Sequence, residues 1–209
     1  MSDKPYRAIV EHYERCLEEH GDTHLGVDWP KAEDVNTRYR VMLDVIQSPA
    51  TQDVSLLDFG CGLSHLYEYI QKTEHSHITY SGMDISDKFI GASRRKFPHV
   101  DFYCFDILED DASLPQYDYI VMNGVFTEKR ELSDEAMWQY FEAVLARVFA
   151  HAKTGIAFNV MSKQVDWERD DLFHVSFDRV ATLLTQKLSR HFVVRHDYRL
   201  YEYTIYVYR

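Results

Sequence analysis

The stretch SLLDFGCGLSHLYEYI, residues 55–70, constrains the fold of this chain more than any other. An apolar run ends at Asp58, glycines follow at 60 and 62, and a helix-forming segment begins near residue 64. Glycines there permit backbone angles and close approaches that a Cβ would block. The turn sits inside a longer alternation. Runs that read as strands fall at 54–59, 78–83, 100–105, 117–122 and 155–161. Helical segments read at 64–72, 87–96 and 133–152, with Ser86 and Ser133 placed as caps. Such alternation requires a mostly parallel sheet covered on both faces. A helix over 177–190 then precedes FVVRHDYRLYEYTIYVYR, which reads as two strands with a turn near Arg199 and Leu200. With no helix between them, these strands must be antiparallel neighbours.

The fold expected is therefore α/β. It has a seven-stranded, mostly parallel sheet with an antiparallel final strand, helices on both faces, and N-terminal helices at 5–20 and 33–46. A chain of 209 residues suits one domain. Residues 1–50 are expected to form a helical lid, 51–161 the ligand-binding core, and 162–209 an acceptor-side loop with the closing strands. The ligand crevice of such a sheet lies at the carboxyl ends of its strands. That is where residues 58–62, Asp84, Asp106 and Asn123 fall.

Composition removes several classes of function. The formal net charge of −11 repels phosphate backbones, so no nucleic-acid partner is expected. Cys16, Cys61 and Cys104 form no CxxC pair, which argues against a disulfide framework and a zinc site; no metal is expected. No run approaches the ~18 apolar residues that a membrane helix needs, nor is there a leader-like N-terminus. A cytoplasmic protein without membrane contact is expected, and the oligomeric state is open.

The glycine turn has three readings. A dinucleotide site needs GxGxxG, but His65 stands where the third small residue should be. A P-loop and a GxSxG elbow are absent. A plain structural turn is the third. The surrounding residues decide between them. LLDFGCGLS resembles motif I of the class I S-adenosylmethionine (SAM) dependent methyltransferases, hhDhGxGxG, with Ser64 at the last glycine position. YSGMDIS resembles their second motif, VDFYCFDIL their third, and YDYIVMNGVF stands where the fourth belongs. The resemblance spans about residues 53–161 and implies a Rossmann-like methyltransferase. SAM would be its methyl donor and S-adenosylhomocysteine its product.

Residue by residue, the resemblance implies a cofactor site made of Asp58, Gly60, Cys61, Gly62, Asp84, Ile85, Asp106, Ile107, Asn123 and Gly124. Asp84, 24 residues after Gly60, matches the acid that accepts from the ribose hydroxyls. Asp106 would accept from the adenine amino group while the Ile107 N–H meets a ring nitrogen. Asp58 would tie down the glycine loop or meet the methionine amino group, with Cys61 a small filler. Arg38 is expected to meet the methionine carboxylate. Trp29 and Tyr39 would shield the sulfonium, since aromatic faces attract cations.

The acceptor is less legible. Asn123-Gly124-Val125-Phe126 is not the (D/N)PP(Y/F) of enzymes that methylate nucleobase amino groups. A small-molecule acceptor, methylated at oxygen, is expected. The long connection after residue 161 supplies Ser162 and His174; Asn159, His196 and Asp197 are further candidates, and His174 is the expected general base. The rival readings are a non-catalytic SAM-binding protein and a nucleotide-dependent oxidoreductase of the same fold class.

Overall fold

A computed structural model describes residues 4–110 and 114–209. The elements are α1 (Arg7–His20), a 3-10 turn (Leu25–Val27), α2 (Ala32–Leu43), β1 (Val54–Phe59), α3 (His65–Lys72), β2 (Ile78–Asp84), α4 (Asp87–Lys96), β3 (Asp101–Cys104) and β4 (Tyr117–Phe126). They continue with α5 (Asp134–His151), β5 (Ala152–Ser162), β6 (His174–Val175), α6 (Phe177–Lys187), β7 (Phe192–Arg195) and β8 (Glu202–Tyr208). The caps expected at α4 and α5 are present. Ser86 accepts from the Phe89 N–H and Ser133 from the Ala136 N–H.

The strand order is β3-β2-β1-β4-β5-β8-β7, with two-residue β6 added beside β5. β8 runs antiparallel to both β5 and β7, and the other pairings are parallel. The closing antiparallel pair thus forms as expected. Its second strand inserts next to β5 and leaves β7 at the edge.

Side chains alternate across the sheet as the two-residue period requires. Leu56, Val121, Ala157 and Tyr206 face one core with Tyr39, Met42, Leu66, Ile70 and Ile90 from α2, α3 and α4. Leu57, Ile120, Ile156 and Ile205 face the other with Phe141, Leu145, Leu183 and Leu184 from α5 and α6. Both faces are covered, which explains why the central strands read as near-continuous apolar runs.

Two elements differ from their sequence reading in ways that matter for the site. β4 runs on to Phe126, with a register shift against β5 between Met122 and Phe126. Gly124, at φ 82°, absorbs that irregularity. The connection after β5 is tied down rather than free: Glu128 bridges Leu172, and the Phe173 N–H donates to the Thr127 carbonyl. No helix among the described residues is long and apolar enough to cross a membrane.

The centre of the sheet leaves no room at Gly82. A Cβ there would lie 2.6 Å from the Phe102 ring and 2.9 Å from the Cys61 sulfur. Gly82→Ala is expected to destabilise the fold by about 1–3 kcal/mol through overpacking. A lowered urea midpoint with unchanged slope checks this, and an unchanged midpoint contradicts it.

Candidate functional site

The site grows from the end of β1. Gly60 and Gly62 adopt left-handed angles, φ 73° and 51°, and so does Ser64 at 57°. Only glycine enters that region freely. Ser64 is held there by a buried chain in which its hydroxyl donates to Ser93, whose hydroxyl donates to the Gly62 carbonyl. The loop is pinned to β2. The N–H groups of Gly60 and Cys61 donate to the Met83 carbonyl at 2.7 and 2.9 Å, and the Gly62 N–H donates to Asp84 Oδ2 at 3.0 Å. Asp84 Oδ1 accepts from the Ser86 N–H at 2.9 Å. One carboxylate therefore joins the glycine loop to the start of α4.

A cavity of about 150 Å³ opens over these strand ends. Its walls include every core position implied by the resemblance: Asp58, Gly60, Cys61, Gly62, Asp84, Ile85, Asp106, Ile107, Asn123 and Gly124, together with Trp29. Tyr39 lines it as well, 5.5 Å from Trp29 between ring centroids. α1 lies across the cleft and contributes Ile9, Val10 and Tyr13; Val27 of the 3-10 turn completes the cover.

Three carboxylates face this cavity, each in a different state. Asp58 accepts a 2.8 Å bond from the Tyr80 hydroxyl and makes no bond to the glycine loop. The loop is tied instead by Met83 and Asp84. Burial pushes the Asp58 carboxyl up to about 7, helped by the Asp84 charge and opposed by the Tyr80 bond. Burial also raises Asp84, against the backbone N–H groups that stabilise its charge. Burial would raise Asp106 too, but the Tyr6 hydroxyl, the Leu108 N–H and Lys4 hold it below the usual carboxylate range. Tyr6 donates to Asp106 at 2.6 Å and stacks on Tyr140 at 4.6 Å, so the segment before α1 closes this end of the cleft. Asn123 Oδ1 is buried with no partner among the described residues. Burial pushes the Cys61 thiol well up, which suits a filler and not a nucleophile.

A second cavity of about 360 Å³ adjoins the first. Trp29 and Gly124 line both. A buried polar chain lines it. The Gly124 N–H donates to Asn159 Oδ1 at 2.8 Å, and Asn159 Nδ2 donates to Glu202 Oε1 at 3.0 Å. Arg38 grips Glu202 with Nε and Nη2 at 2.8–3.0 Å and lies over the Trp29 ring.

Two expected site residues fall in the second cavity. Arg38 lines that cavity and not the first; its Nε and Nη2 hold Glu202, and its Nη1 is buried with no partner among the described residues. His174 does line the second cavity, but its Nδ1 donates to the Ser162 carbonyl and its Nε2 accepts from the Arg169 N–H. With both nitrogens engaged by backbone, the ring is a brace and not a free base. Asn159 is brought in, whereas Ser162, His196 and Asp197 line neither cavity. Asp197 pairs with Arg195, and His196 packs against Phe177 and Tyr203.

Sequence reasoning missed Tyr6, Glu128 and Glu202. The position of Glu128 just beyond the end of β4 was its available signal. Glu202 carried one as an acid within a strand of core residues. His12, Cys16 and Asp28 come within ligand distance of one another, as do Asp22, His65 and Glu68. Each group is already joined internally, His12 to Asp28 and His65 to Asp22 at 2.6 Å.

The raised Asp58 carboxyl has a consequence for stability. The folded state holds this proton up to about pH 7, whereas an unfolded aspartate releases it near 3.9. Stability should therefore fall as pH rises between those values, by on the order of 2–4 kcal/mol from this group. Asp58→Asn keeps an acceptor for Tyr80 and is expected to flatten that slope. Urea titrations from pH 4 to 8 showing equal slopes in both proteins contradict it.

Comparisons with known proteins agree with this geometry. Residues 57–155 match the family model described as a methyltransferase domain. A putative methyltransferase of Mycobacterium tuberculosis is 29% identical over 163 residues, covering 76% of this chain and 95% of that protein. Among solved structures, magnesium protoporphyrin IX methyltransferase from Synechocystis with bound SAM superposes with a TM-score of 0.65 at 16% identity. It covers 100% of this chain and 98% of that one. Human N-acetylserotonin methyltransferase in complex with SAM gives 0.63 at 15% identity, over 98% of this chain and 57% of that one.

Proposed function

We propose that the chain is a class I SAM-dependent methyltransferase that transfers the SAM methyl group to a small molecule, at oxygen. The observation that carries the proposal is the pair of adjoining cavities that share Trp29 and Gly124. One cavity has the lining that SAM requires, and the other is left for an acceptor.

The fit of SAM follows from the donor set. Asp84, already oriented by two backbone N–H groups, accepts from the ribose hydroxyls. Asp106 and the Ile107 N–H meet the adenine. At the other end, Asp58 has one donor and Asn123 Oδ1 has none, which suits an ammonium group that only donates. Asp84 and Asp106 make the cleft negative, and Trp29 and Tyr39 line it with aromatic rings. Both features favour a cationic sulfonium. SAM supplies an activated methyl carbon. The protein aligns donor and acceptor at the boundary that Trp29 and Gly124 share between the cavities and excludes water beneath α1 and the 3-10 turn, which serve as the lid.

S-adenosylhomocysteine and SAM are expected to raise the melting temperature, and NAD is not, since only a ligand of the folded state stabilises it. Asp84→Asn removes a charge-assisted hydrogen bond and should cost about 1.5–3 kcal/mol, roughly tenfold to over a hundredfold in affinity. Calorimetry showing less than a twofold change contradicts the ribose role.

A further inference from the structure

The second cavity carries chemistry that the donor site does not explain. Glu128 lines it, with its side chain only 10% exposed. It follows directly on the turn that closes β4, where the hydroxyls of Thr127 and Tyr13 both donate to the Gly124 carbonyl. Gly124 also lines the cofactor-side cavity. A buried carboxylate therefore stands four residues along the chain from Gly124, which lines both cavities. Its ion pair is a single 3.3 Å contact with Arg130, which also contacts Asp171 at 3.4 Å. Asp28 and Asp171 add negative charge around it. Burial first, and then Asp28, push its carboxyl up, with Arg130 opposing.

The rest of the lining narrows the acceptor. Asp28, Asp34, Asp166 and Glu202 share this cavity with Glu128. Ionised carboxylates only accept hydrogen bonds, so they select a ligand rich in donors. Arg38 is bidentate on Glu202 through Nε and Nη2, which leaves its Nη1 buried with no partner among the described residues. Arg169 is bidentate on Asp171 and half exposed, and Lys31 is exposed. A carboxylate or phosphate acceptor would meet five carboxylates against that single buried guanidinium nitrogen, whereas a hydroxyl oxygen can accept from it without adding negative charge. Trp167 and Tyr201, 72% and 61% exposed, flank the same cavity and present large apolar faces to a ligand. The combination fits an uncharged molecule with several hydroxyls and a carbon-bearing face, as in a sugar.

We propose that the acceptor is a neutral polyhydroxylated molecule, methylated on a hydroxyl whose proton passes to Glu128. As the hydroxyl oxygen bonds to the methyl carbon, the carbon–sulfur bond breaks and its electron pair stays on sulfur. The hydroxyl proton goes to a Glu128 carboxylate oxygen and from there to solvent. One positive and one negative charge are thereby lost together in a water-poor site, where their separation is costly. An amine would enter this cavity as an ammonium ion and would also have to give up a proton, so it is the direct competitor of the hydroxyl acceptor in the test. This inference rests on the methyltransferase reading and names the acceptor class and base within it.

The test uses full-length protein with methyl α-glucoside, methyl α-galactoside and methyl α-rhamnoside as neutral probes. Glucuronate and glucose 6-phosphate serve as anionic probes and glucosamine as an amine. Binding to the S-adenosylhomocysteine complex is read by saturation-transfer NMR, and transfer by label from methyl-labelled SAM. At least one neutral glycoside is expected to bind and become methylated at oxygen. Glu128→Gln should keep S-adenosylhomocysteine affinity within twofold while losing about 10²-fold or more in kcat, with KM little changed. Glu128→Asp should restore part of that rate. Any of three results overturns the proposal: no neutral glycoside binds, an anionic or amine probe is the preferred acceptor, or Glu128→Gln turns over within threefold of wild type. Failure of the wild type to bind S-adenosylhomocysteine would instead count against the methyltransferase reading itself.

Discussion

The carboxylate of Asp84 links the two halves of the donor site. It takes the Gly62 N–H on one oxygen and the Ser86 N–H on the other, while the Met83 carbonyl receives the two preceding loop amides. These bonds set where β1 turns into α3 and where β2 turns into α4. The cleft is the space they leave. Three alternate left-handed positions at Gly60, Gly62 and Ser64 make the turn sharp enough, and the Ser64–Ser93 hydroxyl chain holds the one that is not glycine. A carboxylate committed to two backbone donors has a fixed orientation before any ligand arrives, so little ordering remains to be done on binding.

On the acceptor side a second buried carboxylate plays a comparable part. Glu202 ties Arg38 of α2 to Asn159 of β5, and Asn159 fixes the irregular end of β4 at Gly124. The register shift that Gly124 allows turns the end of β4 into a wall common to both cavities. Trp29 closes the other side, with Arg38 over its ring. A buried ion pair is weak evidence for stability, but removing one partner leaves an uncompensated charge. Here it fixes the positions of Trp29 and Gly124, which line both cavities.

The fold and the lining of the first cavity were legible because their signals are local. Glycines at fixed spacing, acids at strand ends and serine caps all act within a few residues, and each appears where the sequence places it. What the sequence did not show depends on long-range contacts. Arg38 and Glu202 are 164 residues apart in the chain, so the ion pair that holds Arg38 in the second cavity had no sequence signature. His174 looked free because its two backbone partners, the Ser162 carbonyl and the Arg169 N–H, meet it only when the connection folds back beside β5. Glu128 was passed over because β4 was read as ending at residue 122. The four further residues to Phe126 carry the strand end, and with it the acidic side chain, to the acceptor cavity.

The central claim is that one ligand spans from Asp84 and Asp106 to the Trp29–Gly124 boundary, with its sulfur turned toward the second cavity. A crystal structure with S-adenosylhomocysteine tests this most directly. The account predicts ribose hydroxyls within hydrogen-bond distance of Asp84, adenine beside Asp106 and Ile107, and the sulfur adjacent to Trp29 and Gly124. Density placing the sulfur away from that boundary, or the ribose away from Asp84, would contradict it.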